Sequence, residues 1–341
     1  MESVEMRTGK ERLKEKLKKQ QEIYASVKTG DTDAVCYKEF QNGEWGTDDA
    51  NYTNRLRLAY YLLYWKTGEE DVIAWLFQEE LKDRERNSFQ GIGSTIRILT
   101  GLLQKYNADH KYDELFGRAK NANFDCACGY DAADVVDDDF EKNDLLDCIY
   151  LCRELEYRDV MGALVDEWKD RARREANWKT SGRSMLTGFN TYLGREAENE
   201  ELYREQLAET LAAGGGRTKE IISAYRDMIH YYLRVENEER AAHYCRMVIE
   251  TTDYRQVRTL RLFGDILEGC MEVVVLEPFG TSDLWEWTKK ELQSEPQRNR
   301  YGNLYTKGIA AGRAVGDLYA EELEKEYLNR RREWGLGGVS V

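Results

Sequence analysis

Proline is almost absent from this chain: Pro278 and Pro296 are the only two among 341 residues, where average usage would give about seventeen. Because proline interrupts helices, its scarcity favours long helices. Histidine is also rare. His110, His230 and His243 are scattered, and none has a neighbouring serine, cysteine or carboxylate in the arrangement of a nucleophile and its base. We therefore expect a protein without catalytic activity.

Long apolar runs are missing as well. No uncharged apolar stretch approaches the ~20 residues that span a bilayer, and the amino terminus lacks the apolar core of a secretory signal. The seven cysteines are odd in number and mostly occupy helix-face positions, as expected for reduced thiols. These features predict a cytoplasmic protein that does not enter a membrane.

The net charge of -14 disfavours nucleic acid as a partner, because phosphates require a basic surface. Segment 125–147 contains nine acids and one base, Lys142. It is either a solvated loop or a landing surface for a basic partner, as in an inhibitor that covers a toxin or nuclease. Its run Asp137 to Asp139 lacks the ligand spacing and turn glycine of a calcium loop. The same run resembles the aspartate-rich motif of helical prenyl-transferring enzymes, but the second aspartate motif of those enzymes is missing here.

Four cysteines form the best candidate for a metal site. Cys148 and Cys152 are four residues apart on one predicted helix face, and Cys126 and Cys128 lie on a nearby loop. Four thiolates there could converge on zinc. Neither pair has the usual Cys-x-x-Cys spacing, however, and free cysteine is also a good small core residue. We expect no metal and no cofactor, and keep a metal-dependent helical enzyme as a further hypothesis.

The sequence is rich in paired amphipathic helices, and the clearest pair spans residues 218–252. Apolar residues recur there at the spacings of three and four that mark one helix face: Ile221, Ile222, Tyr225, Met228, Ile229 and Tyr232. Asn237 caps the second helix, and two glutamates follow in its first turn, where the helix dipole favours negative charge. A lone pair buries too little surface to be stable, so we expect neighbours of the same kind.

Similar patterns predict the other elements. Residues 29–51 are predicted to be a connecting loop, and Thr67 and Glu70 have capping-box spacing. Helices are predicted over 10–28, 52–66, 91–107, 109–121, 143–156, 158–174, 183–194, 199–213, 254–276, 281–293 and 302–332. The helix that follows Thr67 and Glu70 is predicted from its apolar residues Val72, Ile73, Trp75, Leu76 and Phe77. The predicted domains are a charged helix and loop (1–51), a helical array (52–300) and a capping helix with a tail (301–341).

Two sequence features indicate a repeat. Glu198 to Glu201 and Glu236 to Glu239 both read Glu-Asn-Glu-Glu, 38 residues apart, and each copy is expected between two helices. An aromatic, a turn residue, a core residue and a second core residue recur at equal spacings in two sets: Tyr64, Gly68, Ile73 and Phe77, and Tyr232, Glu236, Ala241 and Cys245. In these residues the chain resembles the tetratricopeptide-repeat family. The resemblance implies an all-α, right-handed superhelix of antiparallel helix pairs that binds a protein or peptide on its concave face.

Cations mark the ends of several first helices, as at Lys66, Arg153, Arg195 and Arg234. Favourable interaction with the helix dipole is enough to explain them. In a superhelix, however, equivalent helix ends line one side of the concave surface, where a row of cations could hold an acidic peptide. The predicted partner-binding residues are Arg195, Tyr225, Arg226, His230, Arg234, Arg258 and Arg261.

Overall fold

The computed structural model describes residues 8–335, apart from 44–45, 88–90, 135, 137, 215–216, 252–253 and 297–298. The regular structure of the described residues is helical apart from one two-stranded antiparallel sheet, which confirms the all-α prediction. None of the helices in these ranges is long and apolar enough to cross a membrane. The chain divides into two compact units, Met1–Ala176 and Asn177–Val341, a division that differs from the predicted boundaries at 51/52 and 300/301.

The first unit follows the predicted order of helices, except that the helix predicted over 10–28 is two helices separated at Lys19 and that the helix Phe124–Gly129 was not predicted. Its elements are α1 (Gly9–Lys18), α2 (Gln20–Lys28), β1 (Glu39–Gln41), β2 (Thr47–Asp49), α3 (Tyr52–Trp65), α4 (Glu70–Arg86), α5 (Ser94–Gln104), α6 (Asp113–Lys120), α7 (Phe124–Gly129), α8 (Leu145–Glu154) and α9 (Arg158–Ala172). The predicted loop 29–51 contains the β1–β2 hairpin, which was not predicted. The capping box at Thr67 was also wrong, because Glu69 occupies the cap position of α4 and makes no side-chain cap bond.

Each helix of the first unit contributes buried apolar side chains. Fully buried examples are Leu13 on α1, Leu58 on α3, Leu76 on α4, Leu99 on α5, Ile149 on α8 and Leu164 on α9. The hairpin, in contrast, is connected to the helices by buried ion pairs and hydrogen bonds. Arg55 of α3 is fully buried and donates to Asp49 in β2 at 2.6 Å, to Glu80 in α4 at 2.9 Å and to the Val35 carbonyl at 3.1 Å. One guanidinium therefore links the hairpin to both helices.

The second unit consists of consecutive helix pairs. Its elements are a π-helical turn (Trp178–Gly182), α10 (Arg183–Leu193), α11 (Glu196–Ala212), α12 (Thr218–Arg234), α13 (Glu238–Glu250), a 3-10 turn (Tyr254–Val257), α14 (Arg261–Leu276), α15 (Ser282–Ser294), α16 (Gly302–Ala314) and α17 (Tyr319–Glu333). The predicted helix 254–276 is thus shorter than expected. The predicted capping helix 302–332 is two helices, because Gly316 adopts a positive φ of 70° and the Asp317 N–H bonds back to the Gly312 carbonyl at 2.8 Å.

The helices of the second unit pack both within and between pairs. We call α10, α12, α14 and α16 the first helices of their pairs and α11, α13, α15 and α17 the second helices. The two helices of each pair pack against each other. The first helices also pack against their neighbours, α12 against α14 and α14 against α16. Their shared core contains the fully buried residues Met228, Cys245, Ile266, Leu284 and Tyr305.

The pair that the sequence identified most clearly is confirmed in detail. The Asn237 side chain accepts a hydrogen bond from the Arg240 N–H at 3.1 Å and so caps α13. Of the predicted apolar face of α12, Ile222, Met228 and Tyr232 are buried. Local signals were sufficient here because both the cap and the apolar spacing lie within one short stretch.

A common turn ends five helices, α3, α8, α10, α12 and α16. A residue with positive φ is followed by one whose N–H bonds to a carbonyl five residues earlier, the Schellman arrangement. The residues with positive φ are Lys66, Glu156, Gly194, Glu236 and Gly316, and the bonds run Thr67 to Leu62, Tyr157 to Cys152, Arg195 to Asn190, Asn237 to Tyr232 and Asp317 to Gly312. These turns are structurally equivalent although their sequences differ.

The two copies of the Glu-Asn-Glu-Glu sequence do not occupy equivalent positions relative to these turns. Glu236 lies in the turn before α13, but Glu198 to Glu201 lie inside α11, so the expectation that both copies lie between helices was wrong. Asn199 is fully buried and accepts a hydrogen bond from Asn190 of α10 at 3.0 Å. The structural equivalent of Glu236 is Gly194.

Candidate functional site

The predicted partner-binding residues occupy different parts of the second unit. Arg226 and His230 lie on α12 beside α14, and Arg258 and Arg261 lie just before and at the start of α14. Arg234 lies in the last turn of α12, about 12 Å along the helix from Arg226 at 1.5 Å per residue. The predicted binding residues are therefore not arranged as one continuous row of cations along the first helices.

Tyr225, which was predicted to contact a partner, is buried in the structure. Its side chain is only 4% exposed, and its ring lies 6.1 Å from that of Tyr244 on α13. Burial raises its pKa. A partner at the surface would not reach this side chain, so Tyr225 contributes to packing within its helix pair.

A network of alternating charges crosses the three first helices, and we call it the charged ladder. Its members are Arg226 on α12, Arg261, Asp265, Glu268 and Glu272 on α14, and Lys307 on α16. Arg226 lies 3.5 Å from Asp265, and Arg261 lies 3.0 Å from Asp265 and 3.1 Å from Glu268. Lys307 lies 2.7 Å from Glu268 and also pairs with Glu272. The ladder thus joins α12, α14 and α16 through ion pairs at their shared surface.

Tyr301 reinforces the ladder next to α16. Its hydroxyl donates to Glu268, and the Arg261 guanidinium lies 3.9 Å from the centre of its ring. Burial alone would raise the pKa of Glu268, but its hydrogen bonds with Lys307 and Tyr301 outweigh that effect and lower the pKa overall. Glu268 is therefore ionised at neutral pH although its side chain is only 8% exposed.

His230 lies next to the ladder on α12. Burial lowers its pKa, and the nearby positive charge of Arg226 lowers it further. The carboxylates of Glu272, Asp265 and Asp227 act in the opposite direction but do not overcome these effects. His230 is consequently neutral at pH 7 and can both donate and accept a hydrogen bond.

A cavity of about 540 Å³ opens beside the ladder, and we call it the Arg258 pocket. Its lining includes two cations, Arg258 and Arg261, one acid, Glu295, and several aromatic and aliphatic side chains: Leu260, Phe263, Tyr301 and Leu304. Arg258 pairs with Glu291 at 2.9 Å, and its guanidinium lies 5.8 Å from the centre of the Phe263 ring. A cavity that combines cations with aromatic and aliphatic walls suits a side chain of the same mixed character.

The predicted cations are already paired with carboxylates of the chain itself. Arg234 lies 3.1 Å from Glu196 on α11, and Arg195 lies 4.0 Å from Glu198. Arg226, Arg258 and Arg261 have the partners described above. The surface is therefore a mixture of charges, in contrast to the row of cations that the sequence predicted.

The acidic segment 125–147 uses several of its carboxylates to hold its own structure. Asp144 caps α8 and Asp147 binds back to the Asp144 N–H, forming a capping box. Asp138 accepts a hydrogen bond from Tyr64 at 2.7 Å. Asp137, which belonged to the predicted aspartate run, lies outside the described residues. Part of the acidity thus has a structural explanation.

Three of the four candidate zinc ligands are fully buried thiols. Burial raises the pKa of Cys148 to about 11 and that of Cys152 to about 12, so both are protonated at neutral pH. Cys126 is buried on α7 with its Sγ 3.7 Å from the Gly91 carbonyl, whereas Cys128 is exposed. Within the described ranges, no group of three or more histidine, cysteine, aspartate or glutamate side chains is placed to hold a metal ion.

No protein-family model, curated protein or solved structure matches this chain. The resemblance to the tetratricopeptide-repeat family therefore stays a prediction. Sequence reasoning missed Asp265, Glu268, Glu272 and Lys307. The acids recur at helix spacings along α14 and follow Arg261, a pattern that was visible in the sequence. Lys307 was not predictable in this way, because it is 39 residues from Glu268 in the chain.

Proposed function

We propose that this protein is a non-catalytic scaffold that binds a protein or peptide through the second unit. The binding surface is the charged ladder together with the Arg258 pocket. One observation carries the proposal: three neighbouring first helices carry a connected set of ionisable side chains, some of them well exposed, beside a partly apolar cavity. Arg261 is 60% exposed and Glu272 is 37% exposed, so both are accessible to a partner.

The proposal extends to the arrangement of the helices. Two helices joined by a short turn and packed along each other run antiparallel, and α12, α14 and α16 pack as successive first helices. This packing supports an array of helix pairs over α10 to α17. The right-handed superhelix, with the first helices on its concave face, is what the resemblance to the tetratricopeptide-repeat family implies. The resemblance in Tyr232, Glu236, Ala241 and Cys245 favours the same arrangement.

The ladder favours a partner of mixed charge. A purely acidic peptide would compete with Asp265 and Glu268 for the same cations. Exposed ion pairs contribute only about 0–1 kcal/mol each, so a partner with alternating charges can exchange them at small cost. An aromatic or aliphatic residue next to an acidic one would fill the Arg258 pocket, with its carboxylate near Arg258 or Arg261. We therefore expect a segment of alternating charge with one such anchor.

A displayed library of random peptides, selected on the purified full chain, tests this proposal. Selected peptides should have alternating charges and should bind the double variant Arg261→Gln/Lys307→Gln at least about tenfold more weakly, as expected for lost charge-assisted bonds. The control Arg204→Gln/Arg246→Gln removes two ion-paired cations from the second helices α11 and α13, and it should bind like the wild type. Equal binding to all three proteins, with unchanged circular dichroism, would refute the ladder as the binding surface.

The acidic-inhibitor hypothesis has less support. It requires the carboxylates of segment 125–147 to meet a basic partner, but Asp138, Asp144 and Asp147 already have partners within the chain. Exposed acids such as Asp131 and Asp134 remain. Charge neutralisation at those two positions would distinguish this hypothesis, because it would leave binding at the ladder unchanged.

A further inference from the structure

A second cavity lies among the π-helical turn Trp178–Gly182, α10, α11 and α12, and we call it the Arg183 pocket. Its volume is about 660 Å³, within the roughly 300–1,000 Å³ that is usual for small-molecule sites. In contrast to the Arg258 pocket, its walls are mainly polar and include the hydroxyl side chains Ser184, Thr187 and Ser223. A polar wall of this kind suits a ligand with many hydrogen-bonding groups.

Arg183 is the buried cation of this pocket. The residue is only 5% exposed, and its Nη2 donates to Glu209 at 2.9 Å. Within the described part of the chain Glu209 is its only hydrogen-bond acceptor, and its Nε has none. A guanidinium carries five N–H donors, and burying them without acceptors is unfavourable. Arg183 therefore has more N–H donors than hydrogen-bond acceptors, and a bound oxyanion would supply acceptors for them.

Cations outnumber acids around the pocket. The cations are Lys179, Arg183, Lys219 and Arg226, and the acids are Glu209, Glu220 and Asp227. Glu209 is shared, because Lys179 approaches one of its oxygens at 3.2 Å while Arg183 binds the other. Asp227 is held by Arg226 at 2.7 Å. In a chain with a net charge of -14, this local excess of positive charge favours an anion.

The π-helical turn is an independent indication of a site. Such turns are rare and occur frequently at functional positions. This one brings Lys179 and Thr180 to the pocket and runs directly into Arg183. Trp178 is buried and packs on Gly182, where an added Cβ would lie 3.0 Å from the indole ring. The turn is thus fixed in place by its own packing.

We propose that the Arg183 pocket binds a small hydroxylated oxyanion, either a sugar phosphate or a sugar-derived carboxylate. Arg183 anchors the anionic group, Lys179 and Lys219 attract it at the mouth, and Ser184 and Ser223 bind the ligand hydroxyls. This inference does not depend on peptide binding at the charged ladder, because the two sites share only Arg226.

Titration calorimetry of the full chain tests the proposal with glucose 6-phosphate and gluconate as the two oxyanions, inorganic phosphate as the bare anion, and glucose as the uncharged control. We expect one or both oxyanions to bind more tightly than phosphate, and glucose not to bind. Arg183→Lys should weaken binding by about tenfold or more, since it removes the fork of donors. Glu209→Gln should strengthen binding, because it removes the internal competitor for Arg183.

Arg204→Gln, on α11 outside the pocket lining, is the matched control and should leave binding unchanged. If Arg183→Lys does not fold, Glu209→Gln and Lys219→Gln decide, with opposite expected effects on affinity. The proposal is overturned if neither oxyanion binds the wild type, or if Glu209→Gln and Lys219→Gln both leave the affinity unchanged.

Discussion

Arg55 on α3 and Glu80 on α4 form an ion pair in which neither side chain is exposed to solvent. The Nε of Arg55 lies 2.9 Å from Glu80, and Nη2 lies 2.6 Å from Asp49 at the end of the hairpin. Burial raises the pKa of Glu80, although both Arg55 and Arg84 oppose that effect. Such a group of buried charges is stable only while its members remain together.

Arg55→Met should strongly destabilise the first unit. The substitution keeps most of the side-chain volume but leaves Asp49 and Glu80 without their shared cation, and removing one member of a buried pair costs about 3–5 kcal/mol. Urea denaturation followed by circular dichroism measures the loss. Arg118→Met is the control, because the Arg118 side chain is 51% exposed in its pair with Glu85, and it should cost less than about 1 kcal/mol. Similar losses in both variants would show that the buried pair does not form in solution.

Tyr232→Ala should destabilise the second unit by about 3–5 kcal/mol, as expected for deletion of a buried aromatic ring. Tyr232 is 1% exposed and stacks on Tyr244 with ring centres 5.7 Å apart. Its hydroxyl donates to Glu200 at 2.9 Å, so Tyr232→Phe should cost only about 1 kcal/mol. The two variants compared by urea denaturation separate packing from hydrogen bonding. A loss below about 1 kcal/mol for Tyr232→Ala would mean that the ring is exposed.

The sequence predicted those parts of the fold whose causes lie within a few residues of each other. The cap at Asn237 and the apolar face of α12 are of this kind. The break between α16 and α17 was also local, since Gly316 followed by Asp317 is a helix stop and a new start, but the surrounding small residues suggested one continuous helix. Gly316 therefore fitted two opposite interpretations, the end of one helix and the interior of a longer helix rich in small residues.

The parts that were not predicted depend on residues far apart in the chain. Asn199 looked like a second copy of the cap at Asn237, but its bond with Asn190 places it inside the unit. The site shows the same limit. The pairing of Arg261 with Asp265 is local to α14, whereas the pairing of Arg226 with Asp265 became apparent only once α12 and α14 were packed together.

Gly269→Ala should destabilise the second unit even though alanine favours helices. Gly269 lies on α14 where it meets α12, and an added Cβ would lie 2.8 Å from Cγ2 of Ile229. Overpacking of this kind costs about 1–3 kcal/mol. Gly188→Ala is the matched control, because nothing lies within 4 Å of its added Cβ on α10, and it should stabilise by about 0.5–1 kcal/mol. Thermal unfolding of both variants provides the comparison, and a stabilised Gly269→Ala would disprove the close approach of α12 and α14.

His230 should make the stability of the second unit depend on pH. Its folded pKa is lowered from 6.5, first by burial and then by Arg226, against the opposing carboxylates of Glu272, Asp265 and Asp227. As the pH falls below the unfolded pKa of about 6.5, the unfolded state binds a proton that the folded state does not. The stability associated with neutral His230 is therefore present above that pH and is lost on acidification.

His230→Gln removes this dependence. Relative to the wild type, the variant should gain stability when the pH is lowered from about 7.5 to about 5, the range in which histidine titrates. Urea denaturation at both pH values measures the change in the difference between the two proteins. His243→Gln on α13, where the side chain is exposed, is the control for removing a histidine that does not belong to the core. If the difference in unfolding free energy between His230→Gln and the wild type does not change with pH, then His230 is solvated and is not buried beside the charged ladder.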